Sequence, residues 1–310
     1  MRANITVSGL PGGRKPQQPY LCSMTIQEAR QALQTQLSTI YDDREAGNIT
    51  NWVLESLTGL SRSARLVKDK EPLTVEQEQC LASYITDLLR HRPVQYVLGE
   101  AWFHGLRFYV NENVLIPRPE TEELVEWIIE EHKEAAALTI LDIGTGSGCI
   151  PVALKIALPQ ATVYSCDVSE GALEVARKNA KDLGADIHFL HQDILDQQAW
   201  GRLPQVDLIV SNPPYIPEKD KSSMHANVLE HEPHLALFVS NDDPLTFYEA
   251  IANLAIEKLN TNGAVYAEIH EDLGSATLAL FQAKGFGRAA VRKDMQNKER
   301  MIKAAGLTSR

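Results

Sequence analysis

Cysteine is sparse in this chain and stands scattered. Cys22, Cys80, Cys149 and Cys166 form no CxxC and no metal-ligand spacing. That excludes a zinc module or a disulfide framework read from spacing, and fits incidental thiols in a reducing cytosol. Long apolar runs are also missing: none approaches the roughly 18 residues of a membrane span. Positive charge is short as well. Thirty Lys and Arg face 41 Asp and Glu, for a net charge of -11. There is no Lys/Arg-rich module, so a broad electrostatic grip on nucleic acid is not expected, although a local basic patch can survive such an average.

What is present changes character along the 310 residues, a length sufficient for two domains. Residues 1–23 hold Gly9-Leu10-Pro11-Gly12-Gly13 and Pro16-Gln17-Gln18-Pro19, without an apolar signal core. They are expected to be a flexible tail, or an extension ahead of a natural start at Met24. Residues 24–92 read as helices only. Thr25-Ile26-Gln27-Glu28 is a capping box, and Ile26, Ala29, Leu33, Leu37 and Ile40 share one face. A second helix carries Trp52, Val53, Leu54 and Leu57 and ends near Gly59. A third opens at Thr74 and runs through Leu81, Ile85 and Leu88. With no catalytic constellation, this helical domain is either a partner-recognition module or a stabilising cap.

Residues 93–118 read as a β-hairpin linker, with Trp102-Phe103-His104 and Arg107-Phe108-Tyr109 joined at Gly105. From 119 to 310 strands and helices alternate. Strands are expected near 138–143, 161–166, 187–191, 206–211, 262–270, 286–292 and 300–305. The implied architecture is α/β, a mostly parallel sheet with helices on both faces. Ligands in such sheets bind beyond the strands' carboxyl ends, at the switch point.

The chemistry-bearing residues fall at those ends. The first strand closes in Asp142-Ile143-Gly144-Thr145-Gly146-Ser147-Gly148. Glycines let backbone approach a ligand, and the helix that follows presents free N–H groups. A nicotinamide dinucleotide could use similar parts, but its fingerprint is G-x-G-x-x-G. The spacing here is nearer the S-adenosylmethionine loop, and the Asp142 carboxylate disfavours a pyrophosphate. Asp167, ending the second strand, suits a pair of ribose hydroxyls. Beyond the third, Asp193 could accept an adenine amine and Ile194 could pack on its ring.

The fourth strand, Val206–Val210, leads into Ser211-Asn212-Pro213-Pro214-Tyr215. An amide nitrogen is a poor nucleophile because its lone pair is delocalised, as the roughly 18–20 kcal/mol rotation barrier records. Two acceptors aimed at its two hydrogens can turn the lone pair toward a methyl donor. The Asn212 side-chain carbonyl and the Pro213 backbone carbonyl are the candidates, since proline fixes φ and brings no competing N–H. Tyr215 offers a face for a flat group. Proximity and alignment would supply most of the rate.

These segments together resemble the HemK/PrmC release-factor glutamine methyltransferases over residues 25–305. The resemblance rests on Pro117-Arg118-Pro119-Glu120-Thr121-Glu122, the Asp142–Gly148 loop and Asn212-Pro213-Pro214-Tyr215-Ile216-Pro217. Weaker support comes from Glu232-Pro233-His234-Leu235-Ala236-Leu237 and from Asp294 through Arg300. It implies a Rossmann-like, seven-stranded S-adenosylmethionine-dependent methyltransferase domain behind a small all-helical domain and hairpin linker. The implied reaction is N5-methylation of the Gly-Gly-Gln glutamine of class I release factors, by a cytoplasmic monomer with no metal and no nucleic-acid partner.

By position, Asp142, Gly144 to Gly148, Asp167, Asp193, Ile194 and Asn212 would hold cofactor. Asn212, Pro213, Pro214 and Tyr215 would hold glutamine. Arg118 and Glu122 would line the pocket mouth, or form a salt bridge that fixes the linker. Phe103 and Phe108 would wall the pocket or fill the hairpin core. Two departures are visible. Val239-Ser240-Asn241-Asp242-Asp243 replaces a glycine-rich loop, and Asn297 stands where glycine is common, at a turn asparagine tolerates. The rival readings are a ribosomal-protein glutamine methyltransferase, an adenine-N6 nucleic-acid methyltransferase and a non-enzymatic binding module.

Overall fold

The computed structural model describes residues 23–135 and 137–307; the expectation for residues 1–23 lies almost wholly outside them. The chain divides after Leu89 into two compact units.

In the smaller unit, α1 (Ile26–Leu37), α2 (Asp43–Thr58) and α4 (Val75–Leu88) pack on one another, with the short α3 (Arg62–Val67) between α2 and α4 in sequence. Sequence sets the ends. Thr25 with Glu28 and Thr74 with Gln77 form reciprocal capping boxes, and Gly59 closes α2 in a left-handed turn. Ala29, Leu33, Leu37, Val53, Leu54, Leu81 and Leu88 are buried, as 3.6-residue periodicity requires. Sequence periodicity missed α3 because six residues are too few to show it.

The larger unit opens with a short helix, α5 (Val94–Leu98), where only hairpin was expected. Pro93 caps it and Gly99 stops it. The hairpin then pairs β1 (Glu100–Phe103) with β2 (Leu106–Tyr109), antiparallel, around a left-handed His104-Gly105 turn. Phe103 and Phe108 are fully buried, edge to face at 6.2 Å, and join the core under α6 (Pro119–His132). They belong to the hairpin core and do not line the cavity described below.

Seven strands follow in one sheet. In sequence they are β3 (Thr139–Ile143), β4 (Thr162–Asp167), β5 (Ile187–His191), β6 (Val206–Ser211), β9 (Leu259–Glu268), β10 (Phe286–Lys293) and β11 (Glu299–Leu307). In space the order is β10-β11-β9-β6-β3-β4-β5. Pairing is parallel from β9 through β5, and β11 runs antiparallel to both its neighbours. Strand order therefore reverses at β3, the switch point. Alternation loads both faces. Ile140, Leu208, Val210 and Tyr266 pack with α6, α7 (Cys149–Ala157) and α8 (Glu170–Asp182). Leu141, Ile209, Val265 and Ile302 pack with α10 (Thr246–Lys258) and α11 (Gly274–Ala283). A small parallel pair, β7 (Ile216–Pro217) with β8 (Phe238–Val239), flanks α9 (Ala226–His231). Among the described residues no helix is long and apolar enough to cross a membrane.

Truncating Phe108 to alanine removes a fully enclosed ring. It is expected to cost about 3–5 kcal/mol, read as a lowered urea midpoint of the larger unit's transition.

Candidate active site

Register brings the site together. Cys166, Ile143, Ser211 and Ala267 pair side by side across β4, β3, β6 and β9. The next residue in each chain leaves that row at the carboxyl edge: Asp167, Gly144, Asn212 and Glu268. The Ser211 hydroxyl donates to the Ile143 carbonyl at 2.8 Å, fastening β6 to β3 at this edge.

A cavity opens above the row. Its floor is the loop Gly144-Thr145-Gly146-Ser147 with Asp167, Gln192, Asp193 and Ile194. Asn212, Pro213 and Pro214 close one end. Linker residues Asn113 to Arg118 form a further wall, and Pro233, Leu235 and Ala236 complete the lining. The sequence reading had not anticipated Asn113 to Ile116, which follow the hairpin as irregular chain with no motif of their own.

The loop is shaped for a ligand. A Cβ on Gly146, at φ 51°, would meet no atom within 4 Å, so open space lies where a side chain would stand. The Thr145 and Ser147 side chains are buried, with their hydroxyls turned toward Asp142 and Cys149 and away from that space. The backbone is otherwise held: Gly144 and Thr145 donate N–H to the Cys166 carbonyl, and Gly146 donates to Asp167 at 2.9 Å. Gly148 does a different job from the one foreseen. It caps α7 at φ 80°, outside the cavity lining, and a Cβ there would sit 3.1 Å from that of Ala176. It is glycine because α7 and α8 pack closely. Asp142 likewise stands behind the loop, fully buried and outside the lining.

Beside the loop, the Asn212 side-chain NH2 donates to the Thr121 hydroxyl at 3.0 Å. Thr121 donates its own proton to Glu268 at 2.6 Å, and Tyr215 donates to the other Glu268 oxygen at 2.9 Å. Tyr215 thus has its hydroxyl on Glu268 and its ring edge against His270, and is not part of the cavity lining. Glu122 is also outside the lining, half-buried in the first turn of α6. Arg118 does line the cavity. It pairs with the buried Glu232 at 2.6 Å, while the Ile116 N–H donates to the second Glu232 oxygen at 3.3 Å. Glu232 therefore clamps the linker wall.

The Methyltransferase small domain family matches residues 121–236, and the PrmC N-terminal domain family matches residues 27–99. A curated release factor glutamine methyltransferase of Flavobacterium psychrophilum is 43% identical over 283 residues, 90% of this chain and 99% of the relative. A second, from Bacteroides thetaiotaomicron, is 43% identical over 75% of this chain and 82% of its own length. The chain belongs to the release factor glutamine methyltransferase family. A solved structure described as a protein-(glutamine-N5) methyltransferase (release factor-specific), from Alicyclobacillus acidocaldarius, is 29% identical over 64% of this chain and 98% of that one, with a TM-score of 0.40.

The two departures from the family pattern have structural accounts. Val239 ends β8, and Asn241 accepts the Lys219 N–H at 2.8 Å, so this loop ties down the segment after Pro217 without glycines. Asn297 adopts φ 64° and donates its N–H to the Asp294 carbonyl at 2.9 Å, keeping the left-handed turn.

Electrostatics separate the carboxylates. Burial pushes Asp142 up to about 7, opposed by the Ser165 hydroxyl at 2.7 Å and by the Thr145 hydroxyl, with the Asp167 charge adding to the rise. Burial also raises Asp167, opposed by N–H groups of Gly146 and Ser169. Burial raises Glu268 too, opposed by the Thr121 and Tyr215 hydroxyls and the Arg300 charge. Thr121, Glu232 and Glu268 carry this geometry, yet none stood out as a site residue in the sequence.

A carboxyl whose folded pKa is raised binds more protons folded than unfolded between the two values. Stability therefore falls as pH rises through that window, here from about 4 to about 7. Asp142→Asn removes the ionisation. Relative to the parent, its melting temperature is expected to rise between pH 5 and pH 8; a constant difference would refute the assignment. Arg118→Ala leaves the buried Glu232 without its charge partner and is expected to cost about 1–3 kcal/mol. Adding Glu232→Gln should recover part of that loss in denaturant melts.

Proposed function

We propose that this chain transfers a methyl group from S-adenosylmethionine to the N5 amide of the glutamine in the Gly-Gly-Gln motif of class I peptide chain release factors. The observation that carries the reading is the shared edge of the sheet, where an open glycine loop lies beside an asparagine amide whose NH2 end is already committed to Thr121.

The residues fit the cofactor. The space over Gly146 and the half-buried Asp167 carboxylate beside it suit an amino-acid end joined to a ribose. Asp193 and Ile194 line the far end, as an adenine requires. When bound, S-adenosylmethionine supplies an electrophilic methyl group.

This chain's own residues do the alignment. With its NH2 on Thr121, Asn212 offers its carbonyl oxygen to one hydrogen of the substrate amide. The Pro213 carbonyl is the acceptor for the other. The buried Pro213 and the Tyr215–Glu268 bond hold the turn that carries both. The substrate nitrogen gains the methyl and gives up one hydrogen as a proton to water, so no strong base is needed. Holding the nitrogen out of conjugation and in line is the enzyme's contribution.

Label from methyl-tritiated S-adenosylmethionine is expected on a purified class I release factor and not on its Gly-Gly-Gln→Gly-Gly-Ala variant. Label on neither, with cofactor still bound, would sink the substrate assignment. Asn212→Ala is expected to keep cofactor binding and lose about 10²–10³ in kcat, as when one aligning hydrogen-bond group is removed. Near-normal turnover would refute the alignment role.

A further inference from the structure

The Asn212 amide can be held in two ways that differ by a half-turn. One presents a carbonyl oxygen where the substrate would lie, the other an NH2 group, and a substrate amide bearing hydrogens needs the first. Nothing in Asn212 itself chooses, because the two ends of the side chain are nearly the same shape. The choice must come from its partner.

That partner is Thr121, 2% exposed and set in the first turn of α6 by Pro119. A hydroxyl has one proton to give. Thr121 gives it to Glu268 at 2.6 Å, so toward Asn212 it can only accept. Glu268 is 1% exposed at the end of β9, and its second oxygen is taken by Tyr215 at 2.9 Å. The Tyr248 hydroxyl donates to the Glu268 backbone carbonyl at 3.1 Å, which fixes the strand end. Both carboxylate oxygens thus accept hydroxyl protons, and the direction of every bond follows.

We infer that Glu268 and Thr121 are positioning residues that set the polarity of the Asn212 amide, turning its carbonyl end toward the substrate nitrogen. The proposal rests on the methyl-transfer reading for its catalytic consequence, but its structural core stands apart from it. Glu268 touches no reacting atom. It acts through one hydroxyl, and a buried carboxylate suits that work because it can only accept hydrogen bonds while ionised. A glutamine there would have one acceptor oxygen for two hydroxyl donors.

The decisive comparison is Thr121→Val against Thr121→Ser. Valine keeps the volume and loses the acceptor; serine keeps the acceptor and loses a methyl group. A packing role predicts that valine is the milder change. A positioning role predicts the reverse. The first readout needs no substrate: the Asn212 side-chain NH2 signals in 15N–1H spectra, assigned by their loss in Asn212→Asp. Solvent exchange of these hydrogens is expected to be slow in the parent and in Thr121→Ser, and at least about 10-fold faster in Thr121→Val. Equal protection in parent and valine variant would overturn the proposal, whether or not release factors prove to be the substrate.

The second readout is turnover on a release factor, with melting temperature as the check on folding. Thr121→Val and Glu268→Gln are expected to lower kcat by about 10–100-fold with KM for the protein little changed. Thr121→Ser should retain most of it. Loss of activity in the parent as well would count against the substrate reading and leave the exchange result to decide the polarity role. A serine variant as impaired as valine, with both folded, would overturn it.

Discussion

The site depends on one row of strand pairing. Cys166, Ile143, Ser211 and Ala267 lie abreast in β4, β3, β6 and β9. Asp167, Gly144, Asn212 and Glu268 are simply the next residues, so four separate stretches of sequence deliver their polar groups to one edge. A slip of one residue in any strand would send its side chains to the opposite face. Both faces resist that slip, because alternate residues of β3, β6 and β9 are buried in two different cores. Catalytic geometry is here a by-product of hydrophobic register. The Ser211 bond to the Ile143 carbonyl adds a polar lock at the point where precision matters.

Much of this was legible in the sequence. Helix caps at Thr25 and Thr74, the order of strands and the two loops at the switch point follow from local chemistry: an oxygen three residues ahead of a backbone N–H, a glycine where backbone must approach, a proline without a donor. Glu232, Glu268 and Thr121 were not legible as site residues, and the reason is physical. Thr121 lies 147 residues from Glu268, and Arg118 lies 114 from Glu232. Neither pair leaves a local pattern, since each meets only once the sheet is assembled. A signal did exist for Glu268: a carboxylate ending the apolar run Ala264-Val265-Tyr266-Ala267 is costly to bury and demands partners. Gly148 was read as loop backbone, and it also stands at a close approach of two helices that the sequence alone did not show.

Arg118 shows how the two kinds of information combine. The sequence left it either at the pocket mouth or in a salt bridge, and it is in both places. Arg118 lines the cavity, and its guanidinium pairs with a buried Glu232 that also accepts the Ile116 N–H. The linker wall is therefore held twice, by charge-assisted bonds to Glu232 and by burial of Val114 and Ile116 with Val110, Ala172 and Val175.

Asp142 and Glu268 are both buried, in β3 and β9, and their surroundings differ. Glu268 has a hydroxyl on each oxygen and the Arg300 charge nearby, so its burial is matched by partners already in the protein. Asp142 has the Ser165 and Thr145 hydroxyls opposing its burial, and the charge of a second carboxylate, Asp167, adding to it. A satisfied buried network rigidifies. The first arrangement is that of a fixture that sets another group's direction. The second is that of a brace behind the loop, met by the Ser165 and Thr145 hydroxyls and standing outside the cavity lining.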